Sequence, residues 1–464
     1  MHQKQTKEEL AMLKSGLPLS TYLDQTFSCS CGRQHYAPLK QVYIGAGALE
    51  RLPDILDSMG LDHPFLIADR ITYQIAGEKC TTALERAGIA YKIVQLQHIE
   101  FDEATLGELL LEMPKESNVC VAVGAGSIND MTRLFSYKVD RPFITVATAA
   151  PMDGFASSIA AVYCNKMKKT FDAQTPVAIL GDTDVLKNAP YRMIAAGLGD
   201  LLGKVTCLCD WKLSRLINGE HYCEEIVEMV ESCAEHVLAN AEKARNREEA
   251  IIEDIMEGLV LAGVSMSLYG NSRPASGCEH HISHYWEMTF EQQGKGAVLH
   301  GTQVGIGTVL ILKLVEKLLK MTVDFEHARK SAREYDSTCW EEEIKEAYGA
   351  AADGIIQLER TAKKNETSGR CLRIDAIEAN WEEIRTLLAA LPDADYVAGI
   401  LRTLESPCSP CEIGVDAAML QRTLLYCKEV RNRYTILQLL WDLGLLETLT
   451  EEVIDEVYSC EYKG

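Results

Sequence analysis

The sequence predicts an α/β N-terminal domain built on a mostly parallel sheet, followed by an all-α C-terminal domain. Three observations carry this expectation. From Gln41 to about residue 185, short apolar runs alternate with amphipathic stretches. Beyond about Pro190, strand signals fade and long stretches of helical period take over. The chain has 464 residues, 47% hydrophobic and 25% charged, enough to bury more than one core. The expected domains are 41–185 and 186–464, with 1–40 as an N-terminal extension.

Composition excludes several functions. Lys plus Arg is 46 and Asp plus Glu is 68, a net charge of −22. Such a surface repels nucleic acid and anionic membrane faces. No apolar run reaches the roughly 18–20 residues of a membrane helix. The N-terminal MHQKQTKEELAMLKSG lacks the apolar centre of a secretion signal. The expected location is therefore cytoplasmic. The 16 cysteines are then mostly free thiols serving as small apolar residues.

The strands read in order. They are VYIG (42–45), PFLIAD (64–69), YKIVQL (91–96), VCVAVGAGS (119–127), PFITVAT (142–148) and VAILGDTD (177–184). Between the last two, AAVYC (160–164) and KKTF (168–171) flank Asn165-Lys166 as a hairpin. Helices are expected over 223–244, 248–270, 279–292, 301–320, 375–391, 415–430 and 435–446. A site between two such domains is expected, since a cleft there excludes water.

Three segments carry candidate chemistry. VCVAVGAGSIND sets Gly124, Gly126 and Ser127 between a strand and a helix starting near Ser127. Glycines let backbone approach a pyrophosphate, and the helix start offers N–H groups to it. The third glycine of a dinucleotide fingerprint is replaced by Asn129, and an acidic residue instead ends an earlier strand, at Asp69. A plain tight turn fits equally well. In SRPASGCEHHISHYWE, His280 and His284 are four apart and share a helical face, whereas His281 points elsewhere as a structural or solvated residue. His300 opens the next apolar helix, and MIAAGLGDLLGK offers Asp200 with Lys204 one turn later. A catalytic divalent site needs about three protein ligands, which Asp200, His280 and His300 supply. A polar, hydrogen-bonded histidine helix is the alternative.

GAGSIND, TAAPMDGFAS, GLGDLLGK, SRPASGCEHHISHYWE, LHGTQVGIG and RNRYTILQLLWDLGLL together resemble the sn-glycerol-1-phosphate dehydrogenases. These share a superfamily with iron-type alcohol dehydrogenases, glycerol dehydrogenase and 3-dehydroquinate synthase. The match covers roughly residues 40–450, and bacterial members also carry a segment like Cys29–His35. The resemblance implies a dehydroquinate synthase-like two-domain fold: a Rossmann-like domain, a helical domain and a metal in the cleft. It implies Asp200, His280 and His300 as ligands of zinc or nickel. It puts the phosphates of NAD or NADP on Gly124, Gly126, Ser127 and Asn129, with Asp130 nearby and Asp69 at the ribose. Thr148 and Ser157 flank the nicotinamide, Asp153 faces the substrate, and His284 carries the proton. Gln303 stands after His300-Gly301 where many relatives have Glu.

The implied reaction is the reversible reduction of glycerone phosphate to sn-glycerol 1-phosphate by a homo-oligomer. Its phosphate calls for cationic donors, with Lys204, Arg273, Lys168 and Lys169 as candidates. Asp69 favours NAD over NADP, because a carboxylate accepts from a 2′-hydroxyl and repels a 2′-phosphate. Three other readings stand beside this: a dehydrogenase of glycerol or another unphosphorylated polyol, a cyclising lyase, and a metal- and nucleotide-binding protein without turnover. The lyase wants Glu at Asp200 and a GHxxGH helix. Cys29 and Cys31 are weighed with Cys408 and Cys411 as a four-thiolate zinc site, and Cys207 and Cys209 as core.

Overall fold

The computed structural model describes residues 11–97, 102–164 and 167–459. It divides into two compact units. Unit 1 holds the chain up to Ala189 with Cys223–Cys233 and Ile252–Pro274. Unit 2 holds Pro190–Tyr222, Ala234–Ile251 and the chain from Ala275 onward.

Unit 1 is organised by a six-stranded sheet: β1 (Gln41–Gly45), β2 (Pro64–Asp69), β3 (Lys92–Leu96), β4 (Val119–Gly124), β5 (Phe143–Ala147) and β6 (Ala178–Asp182). The spatial order is β1-β6-β5-β4-β2-β3, and all five pairings are parallel. Parallel strands are covered on both faces, so they read as continuous apolar runs. Alternate residues feed two cores: Leu66, Ala68, Val121 and Val123 on one face, Phe65, Ile67, Cys120 and Ala122 on the other. Helix α1 (Gly126–Lys138) follows β4 directly and packs Ile128, Met131 and Leu134 onto the second face. The expected hairpin forms as Ile159–Cys164 paired with Met167–Asp172, its turn Asn165–Lys166 lying outside the described residues.

The sequence reading assigns no strand to the extension. A hairpin forms there, Thr26–Ser28 with Gln34–Tyr36, and Leu13, Tyr22, Phe27 and Ala37 are buried.

Unit 2 is helical. It contains α2 (Tyr191–Leu202), α3 (Lys204–Asn218), α4 (Cys278–Gln292) and α5 (His300–Leu319). Three long stretches break where single helices were expected. The 223–244 stretch becomes Glu224–Ala239 and Ala241–Arg245, parted at Asn240. The 375–391 stretch becomes Thr367–Ala379 and Trp381–Ala389, parted at Asn380. The 435–446 stretch becomes α6 (Ile436–Asp442), ended by Gly444 at φ +70°, before α7 (Leu446–Ser459). The Leu445 N–H returns to the Leu440 carbonyl at 2.9 Å, closing the helix end over that glycine. Among the described residues, no helix is long and apolar enough to cross a membrane.

Candidate active site

Unit 2 gathers the acid and the imidazoles. Asp200 is on α2, His280 on α4, and His300 opens α5. The helices converge because glycine stands at their contacts. A Cβ on Gly199 would lie 2.3 Å from the Gly301 carbonyl oxygen, and one on Gly307 2.9 Å from the Glu279 carbonyl oxygen. No side chain fits at either point, so backbone meets backbone and the three donors come together.

One donor atom each from Asp200, His280 and His300 falls within 4.8 Å of the others. His280 Nε2 is 3.5 Å from Asp200 Oδ1. Bonds of about 2.0–2.2 Å to one tetrahedral ion put donors about 3.5 Å apart, so the set closes on a cation with small adjustments. Each imidazole is held from behind. His280 Nδ1 meets Glu279 Oε1 at 2.7 Å. His300 Nδ1 meets Glu287 Oε1 at 3.0 Å and Ser283 Oγ at 3.1 Å. That leaves Nε2 of both rings as the metal-facing atom. Glu279 is itself fixed by Thr206 Oγ1 and the Gly277 N–H, each donating at 2.7 Å.

The electrostatics favour a positive ion. Burial drives the His280 pKa down, yet its hydrogen bonds with Asp200 and Glu279 raise it to about 9. Burial opposes charge on Asp200, but Lys204, His280 and His300 keep its carboxyl below the usual range. A largely buried cluster that stabilises positive charge and offers one carboxylate with two imidazoles fits a divalent ion of the zinc or nickel type.

Lys204 departs from its expected phosphate role. It is fully buried, and its ammonium donates to Asp200 Oδ1 and the Ala275 carbonyl, both at 3.0 Å. It orients Asp200 from inside unit 2. His281 is not solvated: it is fully buried, with neither ring nitrogen hydrogen-bonded to protein. His284 sits with its ring centroid 6.2 Å from His280 and 5.6 Å from His300. Its enclosed position pushes its pKa down to about 4, against the pull of Glu287. Gln303 is buried, and its Nε2 donates to the Val298 carbonyl. The carboxylates behind the histidines are Glu279 and Glu287, which sequence reasoning missed. Glu279 could have been found as the residue next to His280, whereas Glu287 lies 13 residues before His300 on a different helix and leaves no such local signal.

Unit 1 contains the glycine turn. The chain passes from β2 outward to β3, then back across β2 to β4, so the strand order reverses between β2 and β4. In parallel sheets ligands bind at such switch points, beyond the strands' carboxyl ends. Asp69 ends β2 and Gly124 ends β4, adjacent by register. A Cβ on Gly124 would strike Ile128 at 2.6 Å, so glycine there is needed for α1 to turn back onto the sheet. Gly126 and Ser127 form the first turn of α1, whose N-cap, Ala125, supplies no side-chain hydrogen bond. Asn129 is buried; its Oδ1 accepts from Thr145 Oγ1, while its Nδ2 has no protein partner. Asp69 Oδ1 caps the next helical turn, accepting from the Ile71 and Thr72 N–H groups.

Asp130 pairs with buried Arg133 at 2.5 Å. Arg133 in turn donates to the carbonyls of Gly154, Phe155 and Ile159, bracing the segment that bears Asp153 and Ser157. Asp130 therefore supports the site's walls, a role carried by Arg133, three residues on. Asp153 and Thr148 are buried, and the Thr148 N–H donates to the Gly124 carbonyl. Ser157 Oγ accepts from the Ile159 N–H. Arg273 is buried, its backbone N–H donating to Asn271 Oδ1.

Comparison with known proteins defines the class first. Residues 43–190 match the family model for iron-containing alcohol dehydrogenase. The fold is similar to the crystal structure of glycerol dehydrogenase from Schizosaccharomyces pombe, with a TM-score of 0.58 at 15% identity over 90% of this chain and 92% of that one. Relatives narrow it. The chain is 38% identical to a glycerol-1-phosphate dehydrogenase (NAD(P)+) of Halalkalibacterium halodurans, over 64% of this chain and 76% of that protein. It is 32% identical to that of Geobacillus stearothermophilus, over 90% and 96%. The chain belongs to the glycerol-1-phosphate dehydrogenase family.

Proposed function

We propose that this chain catalyses the metal-dependent, NAD(P)H-linked reversible reduction of glycerone phosphate to sn-glycerol 1-phosphate. The observation that carries the reading is the convergence of Asp200, His280 and His300, each imidazole oriented by its own carboxylate. Bound there, a zinc or nickel ion supplies Lewis-acid stabilisation of charge on the substrate oxygen, and the nicotinamide supplies the hydride. Asp200, His280 and His300 hold the ion, while Lys204, Glu279 and Glu287 fix those three. His284, beside both candidate ligands, is the proton carrier. Gly124, Gly126, Ser127 and Asn129 offer backbone and amide donors to the cofactor phosphates at the switch point, with Asp69 as the ribose partner. Thr148 and Ser157 are assigned to the nicotinamide, Asp153 to the substrate and Arg273 to its phosphate. Core thiols such as Cys80 and Cys120 suit a reducing cytoplasm, where a homo-oligomer is the expected form.

The test is stereospecific. Protein loaded with zinc or nickel is given glycerone phosphate with NADH or NADPH, and the product enantiomer is determined. The expected product is sn-glycerol 1-phosphate, with dihydroxyacetone a far poorer substrate. Formation of the 3-phosphate, or a preference for the unphosphorylated ketone, refutes the proposal.

A further inference from the structure

A second constellation of metal-ligand type lies in unit 1. Cys29 and Cys31 stand in the turn of the N-terminal hairpin, His35 on its second strand, and Cys223 just before the helix Glu224–Ala239. One donor atom from each of the four lies within 4.8 Å of the other three. Cys29 Sγ is 3.5 Å from Cys223 Sγ, and His35 Nε2 is 3.2 Å from Cys31 Sγ and 3.6 Å from Cys223 Sγ. Zinc bonds of about 2.3 Å to sulfur and about 2.0 Å to nitrogen place tetrahedral donors about 3.5–3.8 Å apart. These three distances match that spacing to within a few tenths of an ångström.

The surroundings are built for coordination. His35 and Cys223 are buried. His35 Nδ1 lies 2.7 Å from the Leu268 carbonyl oxygen, a contact that fixes the tautomer with Nε2 toward the sulfurs. Gly32, at φ +86°, turns the chain so that Cys29 and Cys31 both reach inward. A disulfide accounts for the cluster poorly, because three thiols cannot pair off and Cys29 Sγ stands 3.5 Å from Cys223 Sγ.

We infer that Cys29, Cys31, His35 and Cys223 form a structural zinc site that fastens the N-terminal hairpin onto unit 1. On binding, three thiols release their protons and the neutral imidazole keeps its Nδ1 proton, so four protein ligands close the shell and no open position remains for a substrate. The site is independent of the proposed catalytic ion.

Cobalt substitution distinguishes the two, because the Asp200–His280–His300 set contains no sulfur. Full-length protein reconstituted with Co²⁺ should show thiolate-to-cobalt charge-transfer absorption in the near ultraviolet. An Asp200→Asn/His300→Ala protein should keep that absorption and retain one zinc per chain by elemental analysis. A Cys31→Ser/Cys223→Ser protein should lose both the band and one zinc equivalent. Absence of the band from cobalt-loaded wild type overturns the inference without relying on any variant. Unchanged zinc in the cysteine variant, or a Cys29–Cys223 disulfide in protein purified under reducing conditions, does the same.

Discussion

Glu279 holds His280, and Glu287 holds His300, through the ring nitrogen turned away from the candidate metal position. Such partners set tautomer, angle and basicity, so their loss weakens metal binding without removing a ligand. Glu279→Gln is expected to lower metal affinity roughly 10–100-fold, read by competition with a chelator. His280→Ala should lose metal and turnover together; a fully active His280→Ala enzyme contradicts the site. His281 makes a different prediction. Its ring is buried with both nitrogens unpartnered, so His281→Ala should cost about 2–3 kcal/mol as a cavity. His281→Leu refills the space and removes the unmet polar groups, and should fall within about 1 kcal/mol of wild type in denaturant titration. Equal damage from both changes shows that the ring nitrogens matter. At Asp69 the cap and the charge separate. Asp69→Asn can keep the cap while removing the charge, and should shift the NAD/NADP ratio of kcat/KM toward NADP. An unchanged ratio rejects the ribose assignment.

Helix contacts set the geometry that these residues use. At Gly199 an added methyl would meet the Gly301 carbonyl at 2.3 Å, a backbone atom that cannot swing aside. Gly199→Ala should therefore push α2 from α5, cost about 3 kcal/mol, and loosen the metal set in the same protein. Gly354, inside a helix with nothing within 4 Å of an added Cβ, is the control. Gly354→Ala should stabilise by about 0.5–1 kcal/mol through helix propensity. If the two substitutions behave alike in thermal unfolding, close packing at Gly199 is not what brings Asp200 to His300. The RNRYTILQLLWDLGLL run also acts at this scale. Asp442 accepts a bidentate pair from Arg373 at 2.7 and 2.8 Å, and Tyr434 donates to it at 3.2 Å. The run therefore braces the helical core of unit 2.

For the molecule as a whole, buried charge makes stability depend on pH. Burial pushes the Glu429 carboxyl up, but Lys364 and Lys428 outweigh it and bring the pKa to about 2. The unfolded value is about 4.3, so the unfolded chain binds the proton first as pH falls. The stabilisation is complete above about pH 4.5 and fades as pH approaches 2. The Tm gap between wild type and Glu429→Gln should be wide at about pH 6 and narrow below about pH 4. A gap of constant width over that range eliminates the ion pair as its source.

Periodicity and apolar runs made the parallel sheet, the helical second half and the order of elements legible, because a strand buried on both faces reads as a continuous apolar run and a helix buried on one face leaves its mark every 3.6 residues. Recognised motifs made Asp200, His280 and His300 legible as a set. The chain alone could not show that Lys204 turns inward to Asp200, that Arg133 takes Asp130, or that Cys29 and Cys31 meet His35 and Cys223 and not Cys408 and Cys411. Nor did it show the break at Gly444, since LLWDLGLL reads as one apolar helix. Each of these depends on which groups a folded backbone brings within about 3–4 Å. Partners up to 194 residues apart, as for Cys29 and Cys223, leave no local periodic trace.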